Sequence, residues 1–188
     1  MHPAYFCHMN NRWLAIFLTC VAFWVQASLA VAQSTAEIEA MEKKLAGATE
    51  DSTRVKALNE LVYLLLSSNP ARSREYAEKS LSLTAKIEQG QTIPGLTLSD
   101  RGVPNFYIGW YHLSRGEYPE AISFTHKALN LYEQAGDKSR MGSCYNALGT
   151  IFKRQKNLTE AERHYKQARQ IFQAANDDER LTSLYLNY

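Results

Sequence analysis

The sequence is short of cysteine, of glycine and proline, and of net charge, and each shortage excludes something. Of its three cysteines, Cys7 and Cys20 stand near the start, and beyond residue 32 only Cys144 remains. A lone thiol forms no internal disulfide, and no Cys/His spacing matches a zinc site. As a nucleophile Cys144 would need a base and an orienting group that the sequence does not nominate, so it reads as a small packed residue. Nine glycines and five prolines leave no room for collagen-like repetition, and 45% apolar residues exclude wholesale disorder. The 21 Lys+Arg against 19 Asp+Glu give a formal charge of +2 with no basic stripe for nucleic acid.

Catalytic motifs are missing too. There is no glycine-rich phosphate loop, no nucleophile elbow and no metal-binding helix pair of histidines. His112, His126 and His164 fall one per expected helix. None lies at ligand spacing from another, so no metal and no cofactor is expected. His112 is read as a half-buried core residue, His126 and His164 as solvated. Asp177, Asp178 and Glu179 sit in an expected turn beside Arg180, where carboxylates cap a helix more readily than they do acid–base work. An enzyme is not expected.

No apolar run is long. The main one is Leu14 to Val25, preceded by a weakly basic start in which Arg12 is the only formal charge and followed by the small-x-small triplet Ala30, Val31, Ala32. This is the pattern of a secretory signal peptide over residues 1–32, and the run falls short of the roughly 20 residues a spanning helix needs. The alternative is an uncleaved anchor from Leu14 to Ala32 that tethers the chain to a membrane. Cys20 lacks the preceding small residue of a lipoprotein signal. The sequon Asn157-Leu158-Thr159 matters only in a eukaryotic secretory pathway.

What the chain does have is a period of 40 residues. Gly109 aligns with Gly149, Glu120 with Glu160, Ala121 with Ala161, Ala128 with Ala168, Asp137 with Asp177 and Arg140 with Arg180. Each unit reads as two helices with a turn near Gly116-Glu117 or Lys156-Asn157. Gly109 and Ala121 let the helices of a pair approach. Ala128 and Ala168 do the same for the next layer, while Tyr111, Leu129, Phe152, Tyr165 and Ile171 fill the space between. Such pairs bury their apolar stripes only by stacking, which predicts an all-α solenoid of antiparallel helix pairs. The units are expected over 105–141 and 142–180.

A more diverged copy is expected over 51–89, with Val55, Leu58, Leu61, Val62 and Leu65 at helical spacing and a turn at Asn69-Pro70. Ser34 and Glu37 read as a capping box opening a helix within 33–50 that covers the open end. Residues 90–104, with three glycines and two prolines, read as a loop that stretches the spacing to 48. Leu181, Leu184, Tyr185 and Tyr188 begin a further repeat over 181–188, an apolar face available for self-association. The stop after Tyr188 is expected to cut a longer array.

The residues Tyr145, Leu148, Gly149, Phe152, Ala161, Tyr165 and Ala168 resemble the signature of a tetratricopeptide repeat. Asn105, His112 and Thr125 depart from it in the copy before, as do Glu133 and Gln173 where a proline is usual. The resemblance implies a right-handed superhelix that binds a protein or peptide partner on its inner face. The 40-residue spacing is similar to the longer variant of the family, and an exported chain of this kind resembles the sensor halves of bacterial membrane histidine kinases and cyclases. That implies a periplasmic interaction module, or as the alternative the N-terminal sensor part of a longer signalling protein. The inner face is built by the first helix of each pair. It therefore nominates Asn146, Thr150, Lys153 and Arg154 in one unit and Phe106, Trp110 and Leu113 in the other. A basic patch beside an aromatic one suits an extended peptide with an acidic or C-terminal carboxylate group.

Overall fold

The computed structural model describes Thr19 and residues 34–187, and the expected signal peptide therefore lies outside the described residues except at Thr19. Every element among the described residues is a helix. Of the unit Met1–Ala40, Thr19 and residues 34–40 are described, all helical. Helix α1 covers 34–47. Seven more follow within Met41–Tyr188: α2 (Asp51–Leu65), α3 (Pro70–Glu88), α4 (Leu98–Ser114), α5 (Tyr118–Ala135), α6 (Lys138–Arg154), α7 (Leu158–Ala174) and α8 (Asp178–Asn187). Among the described residues no helix is long and apolar enough to cross a membrane.

The helices pair as α2–α3, α4–α5 and α6–α7, and consecutive pairs stack. First helices also touch one another, α2 with α4, α4 with α6 and α6 with α8. No comparable contact joins α3 to α5 or α5 to α7. Helices that approach on one side of a stack and splay on the other curve it, so the first helices form the inner face.

The small residues do what close approach demands. A Cβ on Gly109 would stand 2.8 Å from Oγ1 of Thr125, and one on Gly149 would stand 2.5 Å from the ring of Tyr165. Ala121, Ala128 and Ala168 are wholly buried. Around them lie Leu113, Tyr132, Leu148, Ile151 and Phe172, all but excluded from water. Burying a side chain of this size contributes about 1.5–3 kcal/mol. Cys144 is buried in the same cluster, and that burial pushes its thiol far above the usual range, so it packs as a small apolar residue.

Helix ends repeat with the same period. Gly116 and Lys156 take left-handed conformations after α4 and α6, and Gly136 and Asn176 do so after α5 and α7. In each case the next amide returns to a carbonyl five residues back, as from Glu117 to His112 and from Asn157 to Phe152. Asp137 and Asp177 then cap the following helices by accepting from the amides of Arg140 and Arg180.

One expectation is corrected. Residues 98–104 are not loop: α4 begins at Leu98 and runs straight through Gly102 and Pro104. Thr97 and Asp100 form a reciprocal capping box that starts the helix. Pro104 has no amide to give the Asp100 carbonyl, and Nδ2 of Asn59 donates to that oxygen instead, at 2.8 Å. Oδ1 of Asn59 in turn accepts from Ser80 at 2.8 Å, so one buried amide ties α2, α3 and α4 together. Gly102 is a notch and not a breaker, since a Cβ there would run into the Tyr132 ring. The residual loop includes Gly90 and Gly95, both with positive φ.

His164 is also corrected: it is 4% exposed, not solvated. Its ring lies flat on Phe152, which shields it from water. His126 is exposed, and His112 is half-buried against Phe124.

Candidate functional site

The inner face holds a cleft of about 450 Å³ that runs across all four first helices. Helix α2 contributes Lys56, Asn59, Glu60 and Tyr63, and α4 contributes Asp100, Val103, Phe106 and Tyr107. Arg140 and Ser143 come from α6, and Glu179 and Arg180 from α8, with Tyr132 of α5 at the floor. The size is that of a site for a small molecule or a short run of side chains.

The polar groups are placed by the helix ends. Nη1 of Arg140 donates to Oδ2 of Asp137 at 2.8 Å, and Nη1 of Arg180 donates to Oδ2 of Asp177 at 2.6 Å. Each aspartate also accepts a serine hydroxyl from the preceding pair, Ser99 for Asp137 and Ser139 for Asp177, both at 2.9 Å. Burial alone would raise Asp137, but the Arg140 amide, the Ser99 hydroxyl and the Arg140 guanidinium outweigh it and hold the carboxyl below its ordinary range. The Arg180 amide leads the same downward effect at Asp177. These two guanidiniums therefore reach the cleft with their own counter-charges attached. Lys56 is turned aside, its Nζ donating to the Gly95 carbonyl at 2.8 Å. Tyr63 is 64% exposed. Tyr107 is pushed up to about 12, chiefly by burial and then by the neighbouring Tyr63, so it stays a neutral donor and acceptor at the wall.

Of the residues nominated from sequence, Phe106 lines this cleft. Trp110 lines a smaller cavity of about 170 Å³ between the α2–α3 turn and α4, beside Arg74 and Tyr111. Leu113 is 1% exposed and belongs to the core, because its turn of α4 faces the paired helix α5. Its carbonyl accepts from Nη1 of Arg154 at 3.1 Å.

Asn146, Thr150 and Lys153 are brought together, but beneath α8. Lys153 donates to the Asn187 carbonyl at 2.8 Å, and Asn146 accepts from Nδ2 of Asn187 at 3.4 Å. Thr150 is buried, with the Tyr165 hydroxyl 3.2 Å from its Oγ1. Asn146 and Lys153 therefore hold the end of α8, while Lys153 and Arg154 both stay exposed.

Among the cleft residues that sequence reasoning missed, Arg140 and Arg180 lie in the first turns of α6 and α8, Tyr107 follows Phe106 on α4, and Tyr63 lies near the end of α2. The signal was present: Asp100, Arg140 and Arg180 occupy one position at successive 40-residue steps.

A stack of paired helices with its first helices lining a cleft is the architecture of a helical-repeat interaction protein. Residues 105–174 match the family model of the tetratricopeptide repeat. Tetratricopeptide repeat protein 29 of Macaca fascicularis is 27% identical over 116 residues, 60% of this chain and 24% of that protein. The chain thus spans about a quarter of the length of that curated relative. The crystal structure of BtubC (BKLC) from P. vanneervenii shares the fold at a TM-score of 0.58 and 16% identity, covering 82% of this chain and 61% of that one. The segment that spans most of α4–α5 and α6–α7 thus matches the tetratricopeptide repeat family. Repeats of this family generally mediate protein–protein interactions and are generally non-enzymatic scaffolds.

Proposed function

We propose that this chain is an exported interaction module that holds an extended segment of a partner protein in the cleft of its inner face. The observation that carries the reading is the continuity of that cleft over α2, α4, α6 and α8, with Tyr63, Phe106 and Tyr107 offering apolar contact between polar groups. Aromatic rings supply large contact area at small entropic cost, and the fixed aspartate–arginine pairs give the walls rigid polar edges. The export part of the reading rests on the apolar run Leu14–Val25 and the small residues Ala30 to Ala32.

A displayed library of random peptides, panned on the full chain, tests the groove. Enriched peptides should lose most of their binding to Tyr63→Ala and Tyr107→Ala variants that keep wild-type helicity. Retained binding to both, with loss on substitution of exposed residues of α5 or α7, moves the function to the outer face. N-terminal sequencing of the purified protein tests cleavage after Ala32, and an intact Met1 together with recovery of the chain in the cytosolic fraction would end that part.

A further inference from the structure

The walls of the cleft are not charge-neutral once internal partners are removed. Arg140 and Arg180 are each neutralised by a capping aspartate. Asp100 is turned back on its own helix, accepting from the amide of Thr97 at 2.9 Å and its hydroxyl at 2.8 Å. Lys56 lies against the Gly95 carbonyl. Lys56 and Asp100 keep their charges against these neutral partners and offset one another, and two carboxylates remain in excess: Glu60 on α2 and Glu179 on α8 are exposed, line the cleft, and enter no ion pair among the described residues. Beside Glu60, one helical turn on, stands the open ring of Tyr63, with Phe106 and Tyr107 on the next helix.

Carboxylates next to exposed aromatic faces form a receptor for a cation on a long apolar stem. The ring attracts the charged head electrostatically, the stem packs on the ring, and the carboxylate accepts the head's hydrogen bonds. An acidic segment would meet excess like charge at two points along the same cleft.

Resting on the groove reading above, we infer that the cleft selects a basic segment of its partner, with an arginine or lysine side chain laid over Tyr63 and paired to Glu60, and Glu179 taking a second cation. This reverses the sign expected from the sequence, where Lys153 and Arg154 suggested an acidic peptide. The whole chain is weakly positive, at +2, so a preference for cations would have to come from the cleft and not from the overall field.

The test is fluorescence anisotropy with the full chain and two labelled nine-residue peptides of one scaffold, carrying three arginines or three glutamates. The arginine peptide should bind at least tenfold more tightly, with affinity falling as salt rises. Glu60→Gln should weaken it about fivefold and the double change Glu60→Gln with Glu179→Gln at least tenfold. Glu162→Gln, on the outer helix α7, should leave it unchanged. If the glutamate peptide binds as well and Tyr63→Ala abolishes both, the charge preference is wrong while the groove stands. Binding that is insensitive to Tyr63→Ala, or weakened equally by Glu162→Gln, overturns the inference and removes support for the groove as well.

Discussion

The rings of Phe152 and His164 lie face to face, with centroids 5.3 Å apart and planes 6° from parallel. Forty residues earlier the same slot holds His112 on Phe124, at 5.5 Å and 11°. The imidazole has changed helix between the repeats. On the first helix it reaches the turn, where Nδ1 of His112 lies 2.6 Å from Oε2 of Glu117. On the second it is sealed in, with Tyr145 also stacked on it at 6.0 Å and Nε2 accepting from Arg163 at 3.1 Å.

That burial has a consequence with pH. Desolvation, and then the charge of Arg163, hold His164 below its ordinary value of 6.5, against the weaker pull of Glu160. The folded state therefore binds this proton less readily than the unfolded state. Stability is full above about pH 6.5 and falls as pH drops towards the folded value, because protonation favours unfolding. Thermal unfolding followed by circular dichroism should show the midpoint falling between pH 7 and pH 5. His164→Phe, which restores the residue found at Phe124, should remove most of that fall. An unchanged slope in the variant would show that other groups govern this window.

Asn59 and Pro104 form a second dependence that is testable by coupling. Asn59→Ala leaves the Asp100 carbonyl and the Ser80 hydroxyl without partners, a cost of about 1–3 kcal/mol for a buried unsatisfied group. In a Pro104→Ala background the amide at position 104 returns to the Asp100 carbonyl. There the same Asn59→Ala change should cost about 1 kcal/mol less by urea denaturation. Equal costs in both backgrounds would mean that Asn59 does not serve the acceptor left by the proline.

Gly142 and Gly102 are predicted to resist any side chain. A Cβ on Gly142 would stand 2.5 Å from Cε1 of Phe172, which is 1% exposed and has nowhere to move. Gly142→Ala should cost about 1–3 kcal/mol as overpacking, and the loss should shrink when paired with Phe172→Leu. Strict additivity of the two changes would place the cost in helix propensity or elsewhere, not in this contact.

How much of this was readable in the sequence follows from where each constraint originates. The 40-residue period was legible because close helix approach needs small residues at fixed offsets, and Gly109, Gly149, Ala121 and Ala161 display them directly. The caps at Asp137 and Asp177 were legible for the same local reason. The start of α4 was not, because Gly102 and Pro104 read as breakers until Asn59 supplies a partner from 41 residues away. The burial of His164 was hidden because Arg163 and Lys166 make its surroundings look solvated, while the covering rings of Tyr145 and Phe152 come from the preceding helix. Of the cleft, Phe106 on α4 was legible, whereas on α6 the nominated residues lie nearer the C-terminus than Arg140 and Ser143, and α2 and α8 offered no candidate. Which turn of a first helix faces the cleft depends on how neighbouring first helices meet, and α8 covers Asn146 and Thr150.

The turn after α6 offers a gain of stability. Gly116 ends α4 at φ 76°, and its counterpart Lys156 holds φ 63°, a left-handed conformation that costs a side-chain-bearing residue roughly 1 kcal/mol. Lys156 is exposed, and its amide bond to the Lys153 carbonyl uses backbone alone, so its side chain is not required for the cap. Lys156→Gly should therefore relieve the strain, offset in part by the greater freedom glycine has in the unfolded chain. The net expectation is a gain of about 0.5 kcal/mol, read as a higher urea midpoint with an unchanged slope. The reciprocal change, Gly116→Ala, should lower the midpoint by a comparable or larger amount. If Lys156→Gly is destabilising, the lysine side chain contributes something at this turn that outweighs the strain of its backbone.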